Sequence, residues 1–169
     1  IENSKIISGL EKSIQFENVS FQYESANSLA LNNVNVEINK GETIALVGKS
    51  GAGKSTFVDL VLRFFDPTKG QINLDGKNIK EIDIHSLRSQ IGFVTQETIL
   101  FNDSIGNNIR YGKQNADMNE IQNAAELANA MEFINSLQNK FDTQIGEKGA
   151  RLSGGQRQRI SIARAILKN

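Results

Sequence analysis

A glycine-rich loop near position 50 has the residue types and spacing that bind phosphate. The loop reads Gly48-Lys49-Ser50-Gly51-Ala52-Gly53-Lys54-Ser55. It fits the pattern G-x-x-x-x-G-K-[ST], in which glycines let the backbone aim its N–H groups at phosphate oxygens. Lys54 is expected to bridge the β and γ phosphates, Ser55 to bind Mg²⁺ through its hydroxyl, and Thr56 to contact the α-phosphate. The loop therefore predicts nucleotide binding.

This loop lies between a predicted strand and a predicted helix, as phosphate binding requires. Thr43 to Val47 is an apolar, β-rich run typical of a strand buried on both faces of a parallel sheet. Lys54 to Phe65 carries apolar residues at helical spacing and ends before Pro67. This order favours a phosphate loop over the alternative, a flexible glycine turn with a solvated lysine.

A second glycine motif precedes a helix near the end of the sequence. It reads Leu152-Ser153-Gly154-Gly155-Gln156 and is followed by a helical pattern over Arg157 to Lys168. Ser153 is placed as an N-cap, and the two glycines leave backbone N–H groups open to an anion. The motif predicts a second phosphate-binding helix end, or else an ordinary capped helix.

Other patterns predict the elements that position these motifs. Strands are predicted at Ser13 to Val19, around Val34 to Ile38, at Gly70 to Asp75 and at Ile91 to Thr95, with a turn at Asp75-Gly76. From Ser104 to Leu137 the pattern is helical, and Asp117 with Glu120 resembles a capping box.

Composition excludes several kinds of chemistry. The 19 basic and 19 acidic residues balance, so the chain lacks the positive charge with which nucleic-acid binders meet phosphate backbones. The absence of Cys excludes disulfides, thiolate catalysis and Cys-based zinc sites. The single histidine, His85, is expected to be exposed. The basic residues of the last predicted helix are interpreted as a solvated face: Arg151, Arg157, Arg159, Arg164 and Lys168.

The two glycine motifs, with Gln96 after a predicted strand between them, resemble the nucleotide-binding domain of ABC ATPases over about residues 14–168. Exporter-like strings are Phe16 to Tyr23, Leu100 to Ile105 and Gly146-Glu147. The resemblance implies an α/β P-loop NTPase core with an N-terminal antiparallel β region and an α-helical subdomain, the C-terminal part of the core being missing. It also implies a linker from a preceding (membrane) domain over 1–12, an ATP-binding α/β core over 13–99 and a helical subdomain with the ABC signature helix over 100–169.

The resemblance assigns further roles to particular residues. Tyr23 would stack on adenine, and Gln96 would bind Mg²⁺ or position the attacking water. Ser153, Gly154, Gly155 and Gln156 would reach ATP held by the opposite subunit of a head-to-tail dimer. ATP and Mg²⁺ are the implied cofactors.

The implied partners follow from the exporter type. They are a second nucleotide-binding domain, identical or different, and the transmembrane domain of the same transporter, with no nucleic acid. The implied location is the cytoplasmic face of the plasma (inner) membrane. A soluble ABC-type ATPase acting on DNA and a nucleotide-binding regulatory module are the alternatives.

The acidic residues that hydrolysis needs lie after the second glycine motif in this family. Residues 152–169 contain no Asp or Glu, so the general base is absent from the chain. We therefore expect a piece of a longer protein, with apolar surface exposed around 43–47, poor stability and almost no ATP hydrolysis by itself.

Overall fold

Residues 5–168 are described by the computed structural model, in which the chain forms two compact units, Ile1–Gln90 and Ile91–Asn169. Residues 1–4 of the predicted linker lie outside the described part. Lys5 forms a parallel bridge with Ile82, and the Ile7 N–H donates to Ser86 Oγ, so the later part of that segment is hydrogen-bonded to the first unit. The division into a core over 13–99 and a subdomain over 100–169 stays a prediction.

The first unit contains a four-stranded antiparallel sheet. Its strands are β1 (Ser13–Phe21), β2 (Leu31–Asn39), β3 (Lys69–Leu74) and β4 (Lys77–Asn78), in the order β2-β1-β3-β4. The predicted N-terminal antiparallel region is confirmed. The register of β1 shifts between Phe16 and Val19, where Asn18 has a φ of 50°. This bulge turns both Phe16 and Val19 into the core, although strict alternation would separate them.

Helix α1 (Lys54–Val61) packs on this sheet. Phe57 of α1 stacks in parallel on Phe16 of β1, with ring centroids 4.2 Å apart. The helix is shorter than the predicted Lys54 to Phe65, because Arg63 adopts a φ of 52° that a right-handed helix does not allow. Arg88 then donates to the Leu62 and Arg63 carbonyl oxygens. The freed carbonyls at the end of α1 therefore keep partners.

Two of the predicted strands are wrong as strands. Thr43 to Val47 and Ile91 to Thr95 carry no strand assignment, and within residues 5–168 neither segment pairs with a strand. Residues 43–47 are all exposed, whereas Ile91, Gly92 and Val94 are half-buried. Val47 is 92% exposed, which confirms the expected apolar exposure near 43–47.

Helix α2 (Ile84–Ser89) belongs to the first unit and carries His85, which is exposed, as expected. Helices make up most of the second unit. The second unit holds α3 (Ile105–Arg110), α4 (Met118–Leu127), α5 (Met131–Ser136) and α6 (Gly154–Lys168). The predicted capping box is confirmed at the start of α4, where Asp117 and Glu120 each accept a backbone hydrogen bond from the other. Ile109, Ile121 and Ile160 are fully buried in the apolar cluster of this unit.

Candidate functional site

The phosphate loop has a backbone conformation that only glycine adopts easily. Gly51 and Gly53 have φ values of 78° and 81°. A Cβ on Gly53 would lie 2.3 Å from the carbonyl oxygen of Ala30, so the loop runs directly against the residue that precedes β2. Gly51 is thus required by its backbone conformation, and Gly53 is required both by its conformation and by the lack of space for a Cβ.

Helix α1 begins at the end of this loop with an N-terminus suited to an anion. Gly53 is its N-cap and supplies no side-chain hydrogen bond, and the first turn holds no acidic residue. The backbone N–H groups of a first helical turn have no partner within the helix, and the helix dipole makes this end positive. Phosphate is the ligand that such an end binds well.

Three polar side chains of the first turn have different surroundings. Lys54 Nζ donates to the carbonyl oxygens of Gly48 and Lys49, at 2.9 and 2.8 Å, so its positive charge lies within the loop. Ser55 is exposed, whereas Thr56 is 5% exposed. The Thr56 hydroxyl lies 2.9 Å from the hydroxyl of Tyr23. The predicted Tyr23 and phosphate-loop residues are therefore brought together in the first unit.

Tyr23 lies in an aromatic cluster beside a cavity of about 730 Å³. Phe21 and Phe65 each face it at nearly a right angle, with centroids 4.9 and 5.4 Å away. Glu24 and Asp66 add carboxylates to the lining of the cavity. The sequence signal for Phe65 was weak, because a phenylalanine after an amphipathic helix is typical of a core position.

The second glycine motif forms the start of α6 in the second unit. The Ser153 N–H donates to Gln156 Oε1 at 2.8 Å, and the Gln156 N–H donates to Ser153 Oγ at 3.3 Å. The predicted N-cap is thus confirmed as a reciprocal capping box. Gly154 and Gly155 are exposed, and a Cβ on Gly155 would have no atom within 4 Å. The backbone of these glycines is open to an approaching molecule.

Gln96 lies beside this motif. Its exposed side chain lines a cavity of about 420 Å³ together with Gly154, Lys148 and Arg157. Sequence reasoning placed Gln96 and the glycine motif in one function, and the second unit brings them to one cavity. The two basic side chains give this cavity positive charge, partly offset by Glu97.

An arginine that sequence reasoning assigned to a solvated face is instead bound inside the second unit. Arg164 donates to the Asn108 carbonyl oxygen and Oδ1 and to the Ile99 carbonyl oxygen, at 2.8 to 3.0 Å. Burial lowers the pKa of its guanidinium. Asn108, which is completely buried, also bonds both backbone groups of Phe101. Arg164 and Asn108 therefore tie the segment after Gln96 to α6.

The interpretation of a solvated face is also wrong for two neighbouring arginines. Arg157 donates to the Leu152 carbonyl oxygen at 2.6 Å, and the Arg159 guanidinium lies 5.4 Å from the centroid of Phe133. Arg151 and Lys168 are exposed, as expected. In the sequence, the polar Asn108 lies between the apolar Ile105 and Ile109. This position was the available signal that a buried polar side chain needs a hydrogen-bond partner inside the fold.

Comparison with known proteins decides the family. The model of the ABC transporter family matches residues 31–169. The chain belongs to the ABC transporter family. Among residues 5–168, no helix combines the length and the apolar character of a membrane span, and no cluster of three or more His, Cys, Asp and Glu side chains could hold a metal.

Relatives of exporter type cover nearly the whole chain. It is 51% identical, over 99% of its length, to ABC transporter B family member 2 of Dictyostelium discoideum, of which it spans 12%. It is 52% identical, over 95% of its length, to the ATP-dependent lipid A-core flippase of Syntrophus aciditrophicus, of which it spans 26%. A bacterial Atm1-family ABC exporter solved with ATP bound matches all of the chain with a TM-score of 0.94 and 41% identity, over 29% of that structure. The chain therefore spans less than a third of the length of each of these proteins.

Proposed function

We propose that the chain is part of the ATP-binding and ATP-hydrolysing motor of an ABC exporter. The observation that carries this proposal is the start of α1, where a glycine cap, the Lys54 ammonium and an acid-free first turn converge on one point. This point combines backbone donors with positive charge and suits the triphosphate of a nucleotide. The relative solved with ATP bound supports ATP as that nucleotide.

Four of the predicted binding residues have a place in this proposal. Lys54 binds the β and γ phosphates, and Tyr23 stacks on the base. Mg²⁺ neutralises phosphate charge when bound. The exposed Ser55 hydroxyl, on the turn that would face the phosphates, fits a magnesium ligand, since Mg²⁺ takes few protein oxygens beside phosphate. Gln96 supplies a second neutral oxygen or orients water.

The second glycine motif acts on the nucleotide of another chain in this proposal. Ser153 keeps its hydroxyl proton as a donor, because the capping box uses only its oxygen. The open backbone at Gly154 and Gly155 lets the phosphates of a facing copy approach closely. ATP binding would then close two such domains head to tail, and hydrolysis in the intact domain would reopen them. We expect the 169-residue chain alone to hydrolyse almost no ATP.

A transmembrane domain is the proposed receiver of this motion. Ile99, Phe101 and Tyr111 are 63%, 46% and 49% exposed and lie on the segment that follows Gln96 and at the end of α3. The relatives include a lipid flippase, so we place the motor at the cytoplasmic face of the plasma (inner) membrane. The balanced charge of the chain gives no support to a DNA substrate.

ATP binding with and without Lys54 tests the proposal. Lys54→Ala should weaken binding of MgATP about tenfold or more, because charge-assisted contacts to phosphate are the strongest in such a site. Lys40→Ala, which removes an exposed lysine from the turn after β2, is the matched control and should bind as the wild type does. Equal affinity of all three proteins, at unchanged circular dichroism, would contradict the phosphate-loop assignment.

A further inference from the structure

The side chain of Tyr23 is bound to the helix turn that the phosphate loop opens. Its hydroxyl lies 2.9 Å from Thr56 Oγ1, and either oxygen can donate. Thr56 is the third residue of α1 and is 5% exposed, so its side chain has a fixed position within the packed helix. The hydrogen bond thus connects an aromatic ring outside the loop directly to the turn that carries Lys54.

Two phenylalanines restrict the same ring. Phe21 and Phe65 both lie perpendicular to Tyr23, at interplanar angles of 86° and 85°. Neither stacks in parallel on it, and the two phenylalanine rings also contact each other with centroids 5.4 Å apart. Phe21 is 6% exposed and belongs to the core, whereas Phe65 is 41% exposed. Phe65 therefore contributes more to the setting of Tyr23 than to the core.

We propose that Thr56 and Phe65 are positioning residues for the nucleotide base, which they serve by fixing the ring of Tyr23. This inference rests on the proposed function, in which Tyr23 stacks on that base. A ring held by a hydroxyl tether and two perpendicular neighbours loses little conformational freedom when a base stacks on it. The tether also fixes the distance between the stacking ring and the first turn of α1.

This role differs from the contact with the α-phosphate that the sequence predicts for Thr56. A hydroxyl that acts through Tyr23 affects ligands with a base and leaves a bare phosphate chain unaffected. A hydroxyl that contacts phosphate affects both. The two ligands that separate these roles are ATP and inorganic tripolyphosphate.

A double-mutant cycle on the full-length protein tests the tether. Tyr23→Phe keeps the ring and removes its hydroxyl, and Thr56→Val keeps the shape and removes the other hydroxyl. Each should weaken ATP binding about 3- to 10-fold, as the loss of one hydrogen bond does, and the double variant should be no weaker than the more severe single variant. Thr56→Ser keeps the hydroxyl and should bind ATP as the wild type does. Tripolyphosphate should bind all of these variants equally.

The positioning role of Phe65 is tested by comparing its substitution with that of Phe64. Phe65→Leu should weaken ATP binding by a similar factor with no effect on tripolyphosphate. Phe64→Leu is the matched control, because the Phe64 ring is 49% exposed and lies 5.0 Å under the Arg88 guanidinium, on different neighbours. It should leave ATP affinity unchanged.

Three results would overturn the inference. Independent, multiplying effects of Tyr23→Phe and Thr56→Val would show that the two hydroxyls act separately. Weaker tripolyphosphate binding by Thr56→Val would assign this hydroxyl to phosphate. Equal effects of Phe65→Leu and Phe64→Leu would leave no special role for Phe65.

A wild-type protein that binds no ATP would instead contradict the proposed function itself. If Thr56→Val does not fold, Tyr23→Phe removes the same bond from the other side and decides the question.

Discussion

Two helix N-termini in this chain carry glycine motifs, and they are built in opposite ways. Helix α1 follows Gly53, which provides no side-chain cap. Helix α6 follows Ser153, whose hydroxyl and backbone N–H exchange hydrogen bonds with Gln156. The first end has no side-chain acceptor for its N–H groups, whereas the second has internal acceptors for the N–H groups of Ser153 and Gln156 and leaves the backbone of the two glycines between them open. In the proposed function, this difference suits α1 to hold a nucleotide and α6 to present a capped helix end to one.

A turn in the first unit shows how this chain satisfies backbone donors when the acceptor is internal. The Asp75 carboxylate accepts the backbone N–H groups of Glu11, Lys12 and Ser13 at 2.6 to 3.0 Å. Three consecutive N–H groups converge there on one anion, as they would on a phosphate. The phosphate loop offers its donors without such a carboxylate in the first turn of its helix.

Adding a methyl group to each motif is the change with the largest expected effect. Gly53→Ala should lower the free energy of unfolding by about 1 to 3 kcal/mol and abolish tight ATP binding, because its φ is 81° and the new Cβ would meet the Ala30 carbonyl oxygen at 2.3 Å. Gly155→Ala meets no atom within 4 Å and should change stability by less than about 0.5 kcal/mol. Urea unfolding measures the free energy of unfolding of both variants. Similar losses for the two variants would show that the two ends are not built differently.

The sequence predicted the helix that follows each of these motifs, but the strand predicted before the phosphate loop is wrong. The phosphate loop, the Ser153 cap and the capping box at Asp117 all follow from short-range patterns, in which a side chain and its backbone partner lie within a few residues. The strands β1 and β2 followed from alternation, although the bulge at Asn18 did not, because the pairing register depends on the partner strand.

Long-range features could not be predicted in the same way. Thr43 to Val47 has the composition of a buried strand, but composition does not supply the neighbouring strands that burial needs. Arg164 looked like a solvated residue, and only the fold reveals that Asn108, far away in sequence, accepts its hydrogen bonds. The Tyr23 to Thr56 contact likewise joins two elements that no local pattern relates.

Removing a cap from α6 tests whether Ser153 has a role beyond its helix. Ser153→Ala and Asp117→Ala each remove a hydroxyl or carboxylate that accepts a hydrogen bond from the third residue of a helix. Each should lower the free energy of unfolding by about 1 kcal/mol. The first should also weaken ATP-dependent association of two copies, measured by light scattering with the full-length protein. The second is the matched control and should associate normally. Equal association of both variants would restrict Ser153 to capping.

Acid titration of the internal carboxylate has the smallest expected effect. Burial alone would raise the pKa of Asp75, but the backbone N–H groups of residues 11–13 and the charge of Lys77 outweigh it and lower that pKa below its ordinary value of 3.8. Because the folded form holds the charged carboxylate more tightly, the stability from this contact is fully present above about pH 5. It declines as the pH falls through 3.8 toward the lower pKa of the folded state.

The matched variant isolates this contribution. Asp75→Asn keeps one oxygen acceptor but has no charge to lose. The difference in unfolding free energy between the wild type and Asp75→Asn, measured by urea unfolding from pH 7 to 3, should be constant near neutrality and shrink at the acid end. A difference that stays constant down to pH 3 would contradict the lowered pKa. Since the carboxylate lies near the surface, solvent screens its charge, which is why this effect is expected to be the smallest.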